Sequence, residues 1–185
     1  MKLPSRMLDL SVPLDNETVL DPPMMRPRID YKTHKENAWM LLETFPGLPH
    51  RCAWIADLGG VRYIDDSKGT NVGATLAAVE GMRGPLVVIA GGVSKGQDFA
   101  PLAAAFKGKV RHVVLIGRDA GDVERALAGV VSSERAATMQ DAVAAAARVA
   151  QPGDTVLLSP ACASLDMFRD YGHRGDVFAA AVRGL

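Results

Sequence analysis

From residue 52 onward, apolar and polar positions alternate between two periods. Runs at 52–57 and 61–65 flank Leu58-Gly59-Gly60, which predicts a hairpin. Residues 71–82 read as a helix, with Val72, Leu76, Ala77 and Val79 recurring at helical spacing. Residues 85–90 form a continuous apolar run ending in Gly91-Gly92, the pattern of a strand buried on both faces. A short helix at 100–106 precedes an apolar strand at 110–116 that ends in Gly117, and Asp119 is placed to cap a helix through Leu127. A short strand near 135–138 leads into an alanine-rich helix at 140–150. Pro152-Gly153-Asp154 turns into a strand at 155–158, Ser159 opens a loop, and Phe178 to Val182 belong to a closing amphipathic helix.

Short apolar strands alternating with helices predict an α/β fold, a mostly parallel Rossmann-like sheet with helices on both faces. The first two strands would be an antiparallel addition. The stretch before them has another texture: Pro4, Pro13, Pro22, Pro23 and Pro27 break any period, and only 34–45, with Ala38, Leu41 and Leu42, could form a short helix. The expected organisation is therefore an irregular segment over 1–46 and a domain over 47–185.

Composition narrows the function classes. The 185 residues carry 21 Lys+Arg against 21 Asp+Glu, a net charge of +0, so a strongly basic nucleic-acid surface is not expected. No apolar run approaches the ~18 residues of a membrane span, and no signal peptide is expected at the N-terminus. Cys52 and Cys162 are too few for a disulfide framework, which fits a reducing cytoplasm.

In an open α/β sheet, ligands sit beyond the carboxyl ends of the strands. Four loops fall there, at 65–71, 91–98, 117–119 and 159–166. The first runs Asp65-Asp66-Ser67-Lys68-Gly69-Thr70-Asn71 into a helix start, where free N–H groups favour an anion. Lys68 adds a movable charge, and Asp66 could accept from sugar hydroxyls or hold a hydrated cation. In the plainer alternative, Thr70 caps the helix and the carboxylates pair with Lys68. The second, Gly91-Gly92-Val93-Ser94-Lys95-Gly96-Gln97-Asp98, lets backbone approach a ligand and offers Lys95 to a carboxylate or phosphate; the alternative is a turn with an exposed lysine.

The last of these loops, Ser159-Pro160-Ala161-Cys162-Ala163-Ser164-Leu165-Asp166, makes a cradle of small residues and hydroxyls. Cys162 is read as structural, since a thiolate needs a basic partner. Arg51 could reach a phosphate, or simply form a surface ion pair, and His50 alone carries no argument. His173 is expected on a solvated surface. Zinc-type ligand spacing is absent. Neither G-x-x-x-x-G-K-[ST] nor G-x-G-x-x-G occurs, so the chain has no complete nucleotide-binding motif of its own.

Taken in order, Gly47-Leu48-Pro49-His50-Arg51, Asp66-Ser67-Lys68-Gly69-Thr70-Asn71, Gly91-Gly92 with Lys95 and Asp98-Phe99, Gly117-Arg118-Asp119 and the loop from Ser159 to Asp166 resemble the C-terminal domain of the Mur ligases, from about residue 46 to the end. Within that family the likeness is to the branch that adds D-glutamate to UDP-N-acetylmuramoyl-L-alanine. No Asp-Asn-Pro-Arg motif of the diamino-acid-adding branch occurs.

The resemblance implies an ATP-dependent, peptide-bond-forming ligase of peptidoglycan synthesis in the cytoplasm. ATP phosphorylates a carboxylate, and the amine of D-glutamate attacks the acyl phosphate. It implies that Thr70, Lys95, Ser164, Leu165 and Tyr171 line the D-glutamate side, while Arg51, Asp66 and Lys68 face ATP. The UDP-sugar, and most contacts to ATP and Mg2+, would belong to N-terminal and central domains for which no motif is found. The isolated chain is accordingly expected to be a monomer that does not ligate, with no nucleic-acid or membrane partner. Departures from the family pattern are Val93-Ser94 before the lysine and Tyr171 where phenylalanine is common. Two alternatives stand beside this reading: a non-catalytic α/β module for an anion or amino acid, and a ligase domain of the folylpolyglutamate synthetase type.

Overall fold

A computed structural model describes residues 48–185. The segment 1–46, its expected helix at 34–45 and Gly47 of the first motif lie outside the described residues.

The described strands are β1 (Ala53–Leu58), β2 (Val61–Asp65), β3 (Leu86–Gly91), β4 (Val110–Ile116), β5 (Ser132–Arg135) and β6 (Thr155–Leu158). The helices are α1 (Val72–Gly81), α2 (Ala100–Phe106), α3 (Ala120–Leu127), α4 (Met139–Val149) and α5 (Tyr171–Arg183). One six-stranded sheet has the order β1-β2-β6-β3-β4-β5. Only β1 is antiparallel; β2 already pairs parallel with β6, so the antiparallel addition is one strand, not two. Leu58 faces Val61 across a turn whose Gly59 and Gly60 take φ of 58° and 80°. Two positive φ values in succession match the twist of the flanking strands and suit glycine.

Topology follows from handedness. The chain steps from β2 to β3, β4 and β5 in one direction across the sheet and then returns to β6. Right-handed crossovers put α1, α2 and α3 on one face and force the returning α4 onto the other. The core divides accordingly. Val88, Val113, Leu115 and Leu157 pack with Leu102, Phe106, Val123 and Leu127 on one side. Val87, Ile89, Val114, Val156 and Leu158 pack with Met139, Val143, Phe178 and Val182 on the other. Every residue of β3 is buried, as a strand covered on both faces must be.

Three local expectations are corrected. The edge strand lies at Ser132–Arg135, not at 135–138, because Thr138 is spent on capping: its Oγ1 accepts from Asp141 N at 3.1 Å. That strand is polar and only half covered, so it carries no period-2 signal. Asp119 stands at the start of α3 without capping it. Its Oδ2 accepts instead from Ser94 N at 2.7 Å, a tertiary contact that satisfies the loop after β3. Ala77 is exposed, since α1 turns Val72, Thr75, Ala78 and Val79 inward. No helix among the described residues is long and apolar enough to cross a membrane.

Candidate functional site

The strand β6 sits between β2 and β3, yet its chain leaves toward α5 on one face while theirs leave toward α1 and α2 on the other. Diverging connections open a crevice at the carboxyl ends of neighbouring strands. The loops at 65–71, 91–98 and 159–166 meet there, with 117–119 alongside.

Backbone hydrogen bonds zip these loops together. Ala161 N donates to Gly69 O at 2.9 Å, and Gly91 N to Pro160 O at 2.8 Å. Val93 and Ala163 form a two-way bridge at 2.9 and 3.0 Å. Gly91 and Gly92, at φ of 115° and 131°, permit this approach, because a Cβ on either would run into the carbonyl of Ile116 or Ala163. Gln97 adds side-chain ties: its Nε2 donates to Ser94 O and Ala161 O, and its Oε1 accepts from Val72 N.

The carboxylates of the first loop are not paired with Lys68. Asp65 is buried; its Oδ1 accepts from Ser67 N at 2.8 Å, and its Oδ2 stands 2.7 Å from His50 Nδ1. Asp66 Oδ2 accepts from Ser159 Oγ at 2.8 Å, and burial raises its pKa against the lowering effect of that hydroxyl. Ser159 Oγ also lies 3.0 Å from Thr75 Oγ1. Lys68 places its Nζ 3.9 Å from the ring centroid of Tyr171, a cation–π contact. Nor does Thr70 cap the helix: Asn71 Oδ1 accepts from Ala74 N at 2.9 Å.

The remaining expected residues lie on or beside these loops. Lys95 is exposed at the tip of the loop after β3, held at φ 54°. The Val93–Ala163 bridge brings that loop against Ser164, which is buried and whose carbonyl accepts from Phe168 N at 2.8 Å. Leu165 is 69% exposed, and Tyr171 opens α5 at the surface. Arg51 is exposed just before β1, and Lys68 N donates to His50 O at 2.9 Å, so backbone joins the two basic positions. Among the described residues, Arg51, Lys68 and Lys95 form no ion pair. Asp119, by contrast, is tied to Arg118, and that bond with the Ser94 N–H holds its carboxyl well below the usual range.

Against this geometry, residues 50–162 match the family described as Mur ligase, glutamate ligase domain. The chain belongs to the Mur ligase family. A relative from Legionella pneumophila (strain Lens), named UDP-N-acetylmuramoylalanine--D-glutamate ligase, is 58% identical over 149 residues, 78% of this chain and 33% of its own. One of the same name from Thiobacillus denitrificans is 61% identical over 143 residues, 76% of this chain and 30% of its own. The chain thus spans about a third of the length of the curated relatives it matches. Solved structures share the fold at low identity. A bifunctional folylpolyglutamate synthase/dihydrofolate synthase from Yersinia pestis gives a TM-score of 0.55 at 19% identity, over 74% of this chain and 32% of that one. A MurF ligase from Thermotoga maritima in complex with ADP gives 0.51 at 13%, over 76% and 33%.

Several residues of this Mur ligase domain carry more than their sequence context suggested. His50 is anchored on Asp65, with its Nε2 3.9 Å from Asp176 Oδ1 and its ring edge-on to Tyr171. His173 is half-buried against Phe168, not on an open surface. Arg174 is fully buried. A signal for it existed: Arg174, Phe178 and Val182 share one helical stripe. Ser67 and Gln97 had no comparable sign. Cys52 is an exposed residue with its thiol turned against Asp66; partial burial there, then the Asp66 charge, pushes it up to about 11. Burial pushes the Cys162 thiol up to about 12, which keeps it protonated and suits a packing role.

Proposed function

We propose that this Mur ligase domain, a unit beginning at residue 47, presents D-glutamate to an ATP-dependent ligase that joins it to UDP-N-acetylmuramoyl-L-alanine in the cytoplasm. The observation that carries the reading is the set of three cations, Arg51, Lys68 and Lys95, that form no ion pair among the described residues and lie on or beside loops of small residues and hydroxyls at the carboxyl ends of the strands. The substrate class rests on the name borne by relatives near 58% identity.

In this reading Lys95 meets a glutamate carboxylate as a point charge. Thr70 and the Ser164 segment supply polar contacts, and Leu165 and Tyr171 cover the methylenes. Arg51 and Lys68 face the triphosphate, with Asp66 as acceptor for a sugar hydroxyl. ATP supplies the activation of the acyl group; this chain's residues hold the amine donor close and aligned, where much of the rate enhancement arises. Among the described residues no group of three or more His, Cys, Asp or Glu lies together; Mg2+, with ATP, would be held mainly by the ligase's central domain. The chain acts as a monomer and does not ligate alone, because positioning needs both halves of the site. Steady phosphate release from the chain with UDP-N-acetylmuramoyl-L-alanine, D-glutamate and MgATP would overturn that last point.

Calorimetric titration of D-glutamate, with L-glutamate as control, into the chain and its Lys95→Ala variant tests the site itself. Stereoselective binding that the variant loses is the expected result. Equal heats for both enantiomers, or none for either, would count against a preformed D-glutamate site.

A further inference from the structure

Arg174 is 0% exposed, and its three donor directions all end on loop atoms. Nε donates to Ser67 Oγ at 2.9 Å, Nη2 to Ser67 O at 2.8 Å and Nη1 to Cys162 O at 3.1 Å. Ser67 Oγ passes the connection on by donating to Tyr171 O at 2.7 Å. Burial lowers the guanidinium to about 10, with Cys162, Asp166, Asp65 and Asp66 offsetting this only in part, so it is charged at neutral pH. Among the described residues it forms no ion pair. A buried cation whose hydrogen bonds among the described residues go only to neutral oxygens is a costly way to fill a core, and packing alone does not call for it.

What Arg174 joins gives it a purpose. Ser67 lies between Asp66 and Lys68, on the side assigned to the nucleotide. Cys162 lies two residues before Ser164, on the side assigned to the amino acid, and Tyr171 belongs to that side too. A planar fork with donors in three directions can hold these acceptors at once; an ammonium head at the end of a flexible stem cannot. We infer that Arg174 is a positioning residue that clamps the loops at 65–71 and 159–166 into one body, so that occupation of the amino-acid side is transmitted to the nucleotide side. The transmission rests on the proposed assignment of those two sides; the clamp itself does not.

Hydrogen–deuterium exchange of the chain and its Arg174→Lys variant separates the two. Without ligand, the variant is expected to exchange on the order of tenfold faster in both loops together, with β3 unchanged as the control for folding. With saturating D-glutamate, the native chain is expected to gain protection in both loops, whereas the variant gains it only at 159–166. That confinement is a readout that a merely structural role would not produce. Should Arg174→Lys fail to fold, Ser67→Ala carries the test, since it removes the hydroxyl between Nε and Tyr171 O and is expected to loosen both loops in the same sense. A ligand-free variant that leaves either loop as slow as in the native chain would overturn the clamp. D-glutamate that protects neither loop of the native chain would overturn the assignment of sides, while the ligand-free comparison still decides the clamp.

Discussion

Lys68 rests on the face of Tyr171, its Nζ 3.9 Å from the ring centroid, although resemblance assigns the lysine to ATP and the tyrosine to D-glutamate. The contact fixes the direction of the lysine side chain. Exposed cation–π pairs are worth about 0.5–1 kcal/mol, so a double-mutant cycle of Lys68→Met and Tyr171→Leu should show coupling of that size. Tyr171→Phe should leave it intact, since the ring and not the hydroxyl makes the contact. A cycle with no coupling by denaturant titration would remove the pair from the account.

Gly175 is required by the His50–Asp65 pair. A Cβ there would stand 2.6 Å from Asp65 Oδ2 and closer still to His50 Nδ1. Helix propensity alone would make Gly175→Ala stabilising by up to ~1 kcal/mol, and overpacking opposes it by ~1–3 kcal/mol. Net destabilisation is the expected sign, read as a lower Tm. The same substitution in a His50→Ala background should cost less, because one clashing partner has been removed. A raised Tm in the single variant would show that the pair yields freely.

Asp66 pays for its position. Burial raises its pKa in the folded state, so ionising it opposes folding above the ordinary carboxylate range near ~3.9. Stability therefore falls as pH rises through that range toward the raised folded value. Asp66→Asn keeps an acceptor for Ser159 Oγ without the charge. It should melt higher than the native chain at pH 7, with the advantage vanishing below about pH 4 where both side chains are neutral. Melting curves at the two pH values check this, and an advantage independent of pH would point to packing instead.

Asp119 has the opposite sign. Arg118 and the Ser94 N–H depress its folded pKa, so its contribution is present above the unfolded value near ~3.9 and is lost as pH falls from there toward the depressed folded value. Asp119→Asn should be less stable than the native chain at pH 7, and the gap should close as pH drops through that acid window. A gap that widens on acidification would contradict the assignment.

The strands at 86–91, 110–116 and 155–158 were legible in the sequence because each is a short apolar run, and burial on both faces is a local demand on composition. The polar edge strand at 132–135 lies ahead of the 135–138 that the sequence predicts for the converse reason: half covered, it shows no period, and Thr138 serves a cap. Loop positions were legible too, since parallel strands send their carboxyl ends to one edge. Thr70, Lys95, Ser164, Leu165 and Tyr171 are proposed for the site on the strength of motif order and of that placement.

Partners are another matter. Asp65 turned to His50, Asp66 to Ser159 and Lys68 to Tyr171, in place of the local pairing that adjacency suggests. Ser67 and Arg174 stand 107 positions apart and meet only because β6 returns between β2 and β3, setting α5 beneath the first loop. Periodicity reports which residues are buried; it carries no information on which distant polar group will satisfy them. Burial of a guanidinium or a carboxylate is tolerable only when the fold supplies its hydrogen bonds, and those come from loops that the tertiary structure alone brings together.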